Sequence, residues 1–185
     1  MSTPSPQSPH LLPTTGDAAI SASDDKATTP DRHWDCFLSH NWGINDSNHL
    51  KVKRINDALK SNSLQTWFNE DKYIDDVQKQ AAEGVENSSV IVVFITAAYH
   101  QKVNNGDSCD NCYYEFNYSL SKKGAKCMIA VVMEAAMCNQ CEWEGAFSTA
   151  LGSSLYIDFS GAFNDDIIFN QKMNELIARV SSILP

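Results

Sequence analysis

The run Val90-Ile-Val-Val-Phe-Ile95 constrains the fold of this chain more than any other stretch. Six apolar residues, all but one β-branched, follow one another without a polar alternation, so neither side of such a strand is built for water. A strand covered on both faces belongs in the middle of a parallel sheet. Parallel neighbours need crossover connections, most often helices, so the rest of the sequence must supply strands and helices in alternation.

It does. His33-Trp-Asp-Cys-Phe-Leu-Ser-His40 is a short apolar run that ends polar, predicting a first strand whose carboxyl end opens into the turn-rich residues 41–46. Asp46 or Ser47 is placed to cap a helix anchored by Val52, Ile55 and Leu59. Leu64-Gln-Thr-Trp-Phe68 predicts the second strand, and the four-residue spacing of Val77, Ala81 and Val85 predicts a helix that breaks near Asn87. Residues 96–110 read as a long loop or a short helix, followed by a helix carrying Cys112-Tyr-Tyr-Glu115 and a fourth strand over 128–133. A short, irregular helix over 142–151 leads to a fifth strand over 154–158. The last helix places Ile168, Met173, Leu176, Val180 and Ile183 near one face, with Asp165 and Asp166 at its positive end. Five strands alternating with five helices predict an α/β fold: a doubly wound, flavodoxin-like five-stranded parallel sheet of order 2-1-3-4-5 with helices on both faces.

Composition divides the chain unevenly. Residues 1–32 hold five of the six prolines, many Ser and Thr and few large apolar side chains, which predicts a disordered N-terminal tail and one domain over 33–185. Four of the 23 acidic and two of the 14 basic residues fall in that tail, leaving the domain at −7 of the formal −9. Such a balance argues against a nucleic-acid partner, because that affinity comes from clustered Lys and Arg. No apolar stretch approaches the roughly 18 to 20 residues that span a bilayer, and no basic segment followed by an apolar run marks export. The expectation is a cytoplasmic protein with no membrane partner, its six cysteines reduced or metal-bound. No Gly-rich phosphate loop occurs, which argues against ATP or GTP hydrolysis.

In a sheet of this kind ligands sit beyond the carboxyl ends of the strands. Glu115, early in a helix beside those ends, is the candidate for chemistry, although an acid in a first helical turn also has a purely electrostatic explanation. His40, Asn41 and Trp42 follow the first strand and are expected to wall the same pocket. Strand alternation makes Trp67 plain core and Phe68 half core, half pocket. Beyond them Asn69, Glu70, Asp71, Lys72, Tyr73, Ile74, Asp75 and Asp76 form a charged loop.

Together these pieces resemble a Toll/interleukin-1 receptor (TIR) domain. Trp34-Asp-Cys-Phe-Leu-Ser-His40 is similar to the family's first box, Trp67-Phe-Asn-Glu-Asp71 to the exit of its second strand into the BB loop, and Gly84-Val-Glu-Asn-Ser-Ser-Val-Ile-Val-Val-Phe-Ile-Thr96 to its third-strand segment. Cys112-Tyr-Tyr-Glu115 matches the Cys-x-x-Glu of TIR domains that cleave NAD. The resemblance covers residues 34 to 183. It implies a signalling protein of the innate-immunity kind that hydrolyses NAD to nicotinamide and ADP-ribose or a cyclised product, with Glu115 as catalytic carboxylate, His40, Asn41, Trp42, Phe68 and Cys112 about the substrate, and no cofactor besides that substrate. It implies self-association or binding to other TIR domains through residues 69–76. The alternative is a non-enzymatic adaptor that only recruits other TIR domains. Two departures stand out: Asn111 occupies a place where the family often has Trp, and no Gly lies between Trp67 and Gly84.

A second constellation overlaps the first. Cys109-Asp-Asn-Cys112 and Cys138-Asn-Gln-Cys141 are two C-x-x-C pairs that together offer four thiolates to a tetrahedral zinc ion. Their separation exceeds the usual ribbon spacing, and Cys112 already has a place in the Cys-x-x-Glu motif, so the expectation is no metal, with zinc as the alternative.

Overall fold

The structure is a computed structural model that describes residues 33–70 and 76–185. The tail predicted over 1–32 and the loop residues 71–75 lie outside the described residues. Strand β3 (Ser88–Ile95) stands at the centre of the sheet, between β1 (Trp34–Ser39) and β4 (Met128–Val132). The edges are β2 (Thr66–Trp67) beside β1 and β5 (Ile157–Asp158) beside β4, giving the order β2-β1-β3-β4-β5 with every pairing parallel. This is the predicted topology.

The β-branched run of β3 works as its sequence demands. Val90, Val92 and Phe94 face one core while Ile91, Val93 and Ile95 face the other, and all six are buried. Helices α1 (Ser47–Ser61) and α6 (Asp166–Ile183) close the first core, and α2 (Val77–Glu86), α3 (Ala97–Asn105), α4 (Asn111–Lys123) and α5 (Gly145–Leu151) close the second. Each Val, Ile or Phe buried in this way contributes about 1.5–3 kcal/mol over its exposed state.

The elements differ from the sequence reading in particular places. Among the described residues six α-helices cover the sheet, where five were expected, because residues 97–105 form a true helix: the Thr96 hydroxyl accepts the Tyr99 N–H and caps it. In α6 the buried stripe is Phe169, Met173, Leu176 and Val180, whereas Ile168 is 41% exposed. Those four residues follow helical spacing, and Ile168 lies one residue, roughly 100° of helix rotation, off that line. Neither Asp46 nor Ser47 caps α1 through its side chain; Asp46 takes a left-handed φ of 58°, and the N–H groups of Asn48 and His49 donate instead to the Trp42 carbonyl. The edge strands pair over two residues each, shorter than the five expected. No helix among the described residues is long and apolar enough to cross a membrane.

Candidate functional site

The carboxyl ends of β1 and β2, with α3 and the start of α4, surround a cleft of about 500 Å³. Leu38, His40, Asn41 and Trp42 supply one wall, Trp67 and Asn69 a second, and Cys109, Asp110, Cys112 and Glu115 a third. The cleft forms here because β1 ends in Ser39 and its chain turns away through Gly43, whose φ of 77° few other residues adopt.

Glu115 is the fifth residue of α4, just past the first turn where the sequence places it, and it is 8% exposed. The purely electrostatic explanation for an exposed first-turn acid therefore does not describe it. Its Oε2 accepts a hydrogen bond of 2.6 Å from the Ser39 hydroxyl, and the Ser39 oxygen lies 2.8 Å from the hydroxyl of the fully buried Tyr99. Burial pushes the Glu115 carboxyl up to about 7, against the pull of the Ser39 hydrogen bond and with a further push from Asp110. A carboxyl poised near neutrality inside a cleft is the usual mark of a functional acid or base.

Asp110 organises the mouth. Its side chain caps α4 by accepting the N–H groups of Cys112 and Tyr113, and its other oxygen accepts Lys102 Nζ at 2.6 Å. Burial works to raise the Asp110 carboxyl, but Lys102 and the two backbone donors outweigh it and hold it low. Cys112 is buried, its thiol pushed up by burial and by the neighbouring Glu115 charge, and its Sγ points at the His40 carbonyl at 3.9 Å. It is a packing thiol of the cleft wall rather than a nucleophile.

The loop after β1 is fixed by its side chains. Asn41 Oδ1 accepts the Thr96 hydroxyl at 2.6 Å and Asn48 Nδ2 at 3.2 Å, tying the loop to the cap of α3 and the first turn of α1. His40 Nδ1 lies 3.3 Å from the Leu38 carbonyl, which only accepts, so Nδ1 carries the proton; Nε2 then accepts from His49 Nδ1 at 2.9 Å. Burial lowers the His40 pKa to about 4, the Leu38 carbonyl opposing and His49 adding to the shift, so the ring is neutral at physiological pH. Trp42 lies flat on His49, with ring centroids 3.9 Å apart and planes 1° apart.

The two aromatic residues of the second strand exchange their expected roles. Trp67 lines the cleft, stacked on Phe37 at 4.5 Å, while Phe68 packs beneath the loop against His40 and His49 and joins the opposite core. Alternation separates the two correctly, but the cleft opens on the face shared by Phe37, Trp67 and α4. Of the charged loop, Asn69 borders the cleft, Glu70 reaches Lys60 at 4.0 Å and Asp76 takes a left-handed φ of 61° ahead of α2; the intervening five residues are not described. The four motif cysteines do not converge: Cys109 and Cys112 border the cleft, whereas Cys138 sits by Ser160 and Tyr156 and Cys141 is exposed. Among the described residues no three His, Cys, Asp or Glu side chains are grouped as a metal requires, so the zinc alternative finds no site. Ser39 and Tyr99 are the site residues that sequence reasoning missed. Each is ordinary in its own strand or helix, and only the fold brings them under Glu115.

The architecture has solved counterparts. A metazoan TIR-STING receptor from C. gigas superposes with a TM-score of 0.55 at 11% identity, over 83% of this chain and 42% of that one. The same receptor in complex with 2',3'-cGAMP gives 0.59 at 12% identity, over 82% and 40%. The chain thus spans about two fifths of the receptor's length. The TIR domain of the Toll-related receptor TRR-2 from Hydra magnipapillata gives 0.52 at 13% identity, over 80% of this chain and 98% of that domain. No curated protein sequence matches the chain. The sequence profile of the TIR domain matches residues 36–173, which includes every wall of the cleft. The chain belongs to the TIR domain family.

Proposed function

We propose that this TIR domain is a cytoplasmic signalling enzyme that hydrolyses NAD to nicotinamide and ADP-ribose, or a cyclised form of it, with Glu115 as the catalytic carboxylate. The observation that carries this reading is a buried glutamate, raised to about 7, in the wall of a 500 Å³ cleft between tryptophans. Nicotinamide leaves as a neutral ring from a pyridinium, so the reaction asks little of a general acid. The barrier lies in the positive charge that develops on the ribose. A carboxylate within hydrogen-bonding reach of the ribose hydroxyls orients the sugar and offsets that charge, and a buried carboxylate does so more strongly than one in solution.

In this reading the remaining residues bind and orient. Trp42 offers a flat apolar face and Trp67 an apolar ring edge to the dinucleotide, and Lys102 is a cation at the mouth suited to its phosphates. His40, held neutral, and Asn41 keep the loop after β1 in shape. NAD is the substrate, and the chemistry of these side chains calls for no cofactor. TIR–TIR association through residues 69–76 would join the enzyme to its signalling role. Nicotinamide release from NAD by concentrated protein tests the proposal: turnover supports it, and none at high micromolar protein, with self-association seen by light scattering, assigns the domain to the non-enzymatic adaptors.

A further inference from the structure

Beneath the cleft, and outside its lining, lies a chain of hydroxyls that the proposed reaction does not itself name. Ser39, at the end of β1, and Tyr99, in the first turn of α3, are both wholly buried. Neither borders the cleft, so neither touches a ligand there. They meet each other at 2.8 Å, and Ser39 meets Glu115 Oε2 at 2.6 Å.

Proton counting fixes the direction of this chain. Ser39 has one hydroxyl hydrogen, and an ionised Glu115 only accepts, so that hydrogen points to Oε2. The Ser39 oxygen is then free to accept, and the Tyr99 hydroxyl donates to it. Every hydrogen has an acceptor and every buried oxygen a partner. A proton on Oε2 would turn the Ser39 hydrogen toward Tyr99 and take away the tyrosine's acceptor, while a proton on Oε1 leaves the chain in place but replaces a charge-assisted Ser39 hydrogen bond with a weaker one to a neutral acyl oxygen. A buried donor left unpaired is costly.

We infer that Ser39 and Tyr99 are positioning residues that act through Glu115, a buried relay whose hydrogen bonds are strongest on the carboxylate and which therefore keeps the cleft ready to face a developing cation. The inference deepens the proposed reaction and rests on Glu115 as its carboxylate. The groups facing Glu115 are accounted for: Asp110 and the Cys112 thiol from α4 and its cap, Tyr99 and the Lys102 ammonium from α3, with Lys102 paired to Asp110. His40 with His49 behind it is neutral from the β1 side. Burial and Asp110 push the carboxyl up, and the Ser39 hydroxyl is the contact that holds it down.

The test does not need turnover. The Glu115 carboxyl carbon, assigned by its loss in Glu115→Gln, is titrated by NMR in the wild type, Ser39→Ala and Tyr99→Phe, with circular dichroism showing that each variant is folded. The expected result is an upward shift of the midpoint by about one pH unit or more in Ser39→Ala, a tenfold gain in proton affinity, and a smaller upward shift in Tyr99→Phe, which is nearly isosteric. With NAD as probe, the acid limb of the kcat profile moves up by the same amounts while KM stays within about twofold. A midpoint that stays or falls in both folded variants overturns the relay. If the wild type cleaves no NAD, the proposed function fails, but the titration still decides whether the relay exists.

Discussion

Glu115 and His40 are two buried titratable groups of opposite kind in one cleft, and their effects on stability oppose each other. The Glu115 carboxyl, raised from its ordinary 4.5 to about 7, holds its proton more tightly in the folded state. Folding stability therefore falls as pH rises from 4.5 to 7 and remains lowered above that. Each unit is 1.36 kcal/mol, so the full cost is about 3 kcal/mol. His40, lowered from 6.5 to about 4, is protonated more readily when unfolded, and its contribution is lost as pH falls from 6.5 to 4. Glu115→Gln removes the first cost and keeps an acceptor for Ser39. It is expected to exceed the wild type by about 1–3 kcal/mol at pH 8 in denaturant titrations, with the advantage gone near pH 4.5. The same variant should lose stability more steeply than the wild type as pH falls from 6.5 to 4, because the His40 slope is no longer offset. No gain at pH 8 would mean that the carboxyl is not held against its charge. At this scale the sequence announced Glu115, through Cys112-Tyr-Tyr-Glu115, but not its environment. Ser39 and Tyr99 lie 76 and 16 residues away, and nothing local in either position points to a carboxylate.

At the scale of elements, the hydrophobic patterns that serve the core were readable and those at its borders were not. The run in β3 demanded a central parallel strand and became one, because six buried side chains leave no alternative. The α6 stripe was misplaced by one residue, since Ile168 and Phe169 are both apolar and only packing chooses between them. The helix at 97–105 stayed undecided because its polar residues blur the helical period, although Thr96 was in place as its cap. Trp67 shows how an element shapes the site. Its ring stacks on Phe37, and Gly84 of α2 comes so near that an added Cβ would stand 2.6 Å from the ring. Gly84→Ala is therefore expected to push Trp67 out of place, destabilising the domain by about 1–3 kcal/mol. It should also raise KM for NAD several-fold more than it lowers kcat, since Glu115 stands on a different helix. An unchanged Tm and KM would show that α2 does not set the position of the tryptophan.

The whole molecule carries a formal charge of −9, and like charge opposes the approach of copies to one another. If association through residues 69–76 completes the site, activity follows the associated fraction. Specific activity is then expected to rise with protein concentration, and to rise further when salt screens the repulsion, as the Debye length shortens from about 10 Å at 0.1 M to shorter values above it. Light scattering run beside the assay checks both trends. Specific activity constant from nanomolar to high micromolar protein, with a monomer throughout, would mean that one chain holds the complete site. The doubly wound parallel class at this scale was legible from alternation, which leaves the strand order open, and the cleft's outline was not legible, because it depends on which face of β2 the second core covers. The central claim is that the Glu115 carboxylate cleaves NAD, and the most direct measurement compares nicotinamide release by the wild type and by Glu115→Gln at equal, high protein concentration. The account predicts turnover by the wild type and a loss of at least about 100-fold in the variant, with folding and self-association intact. Equal turnover by the two would contradict it.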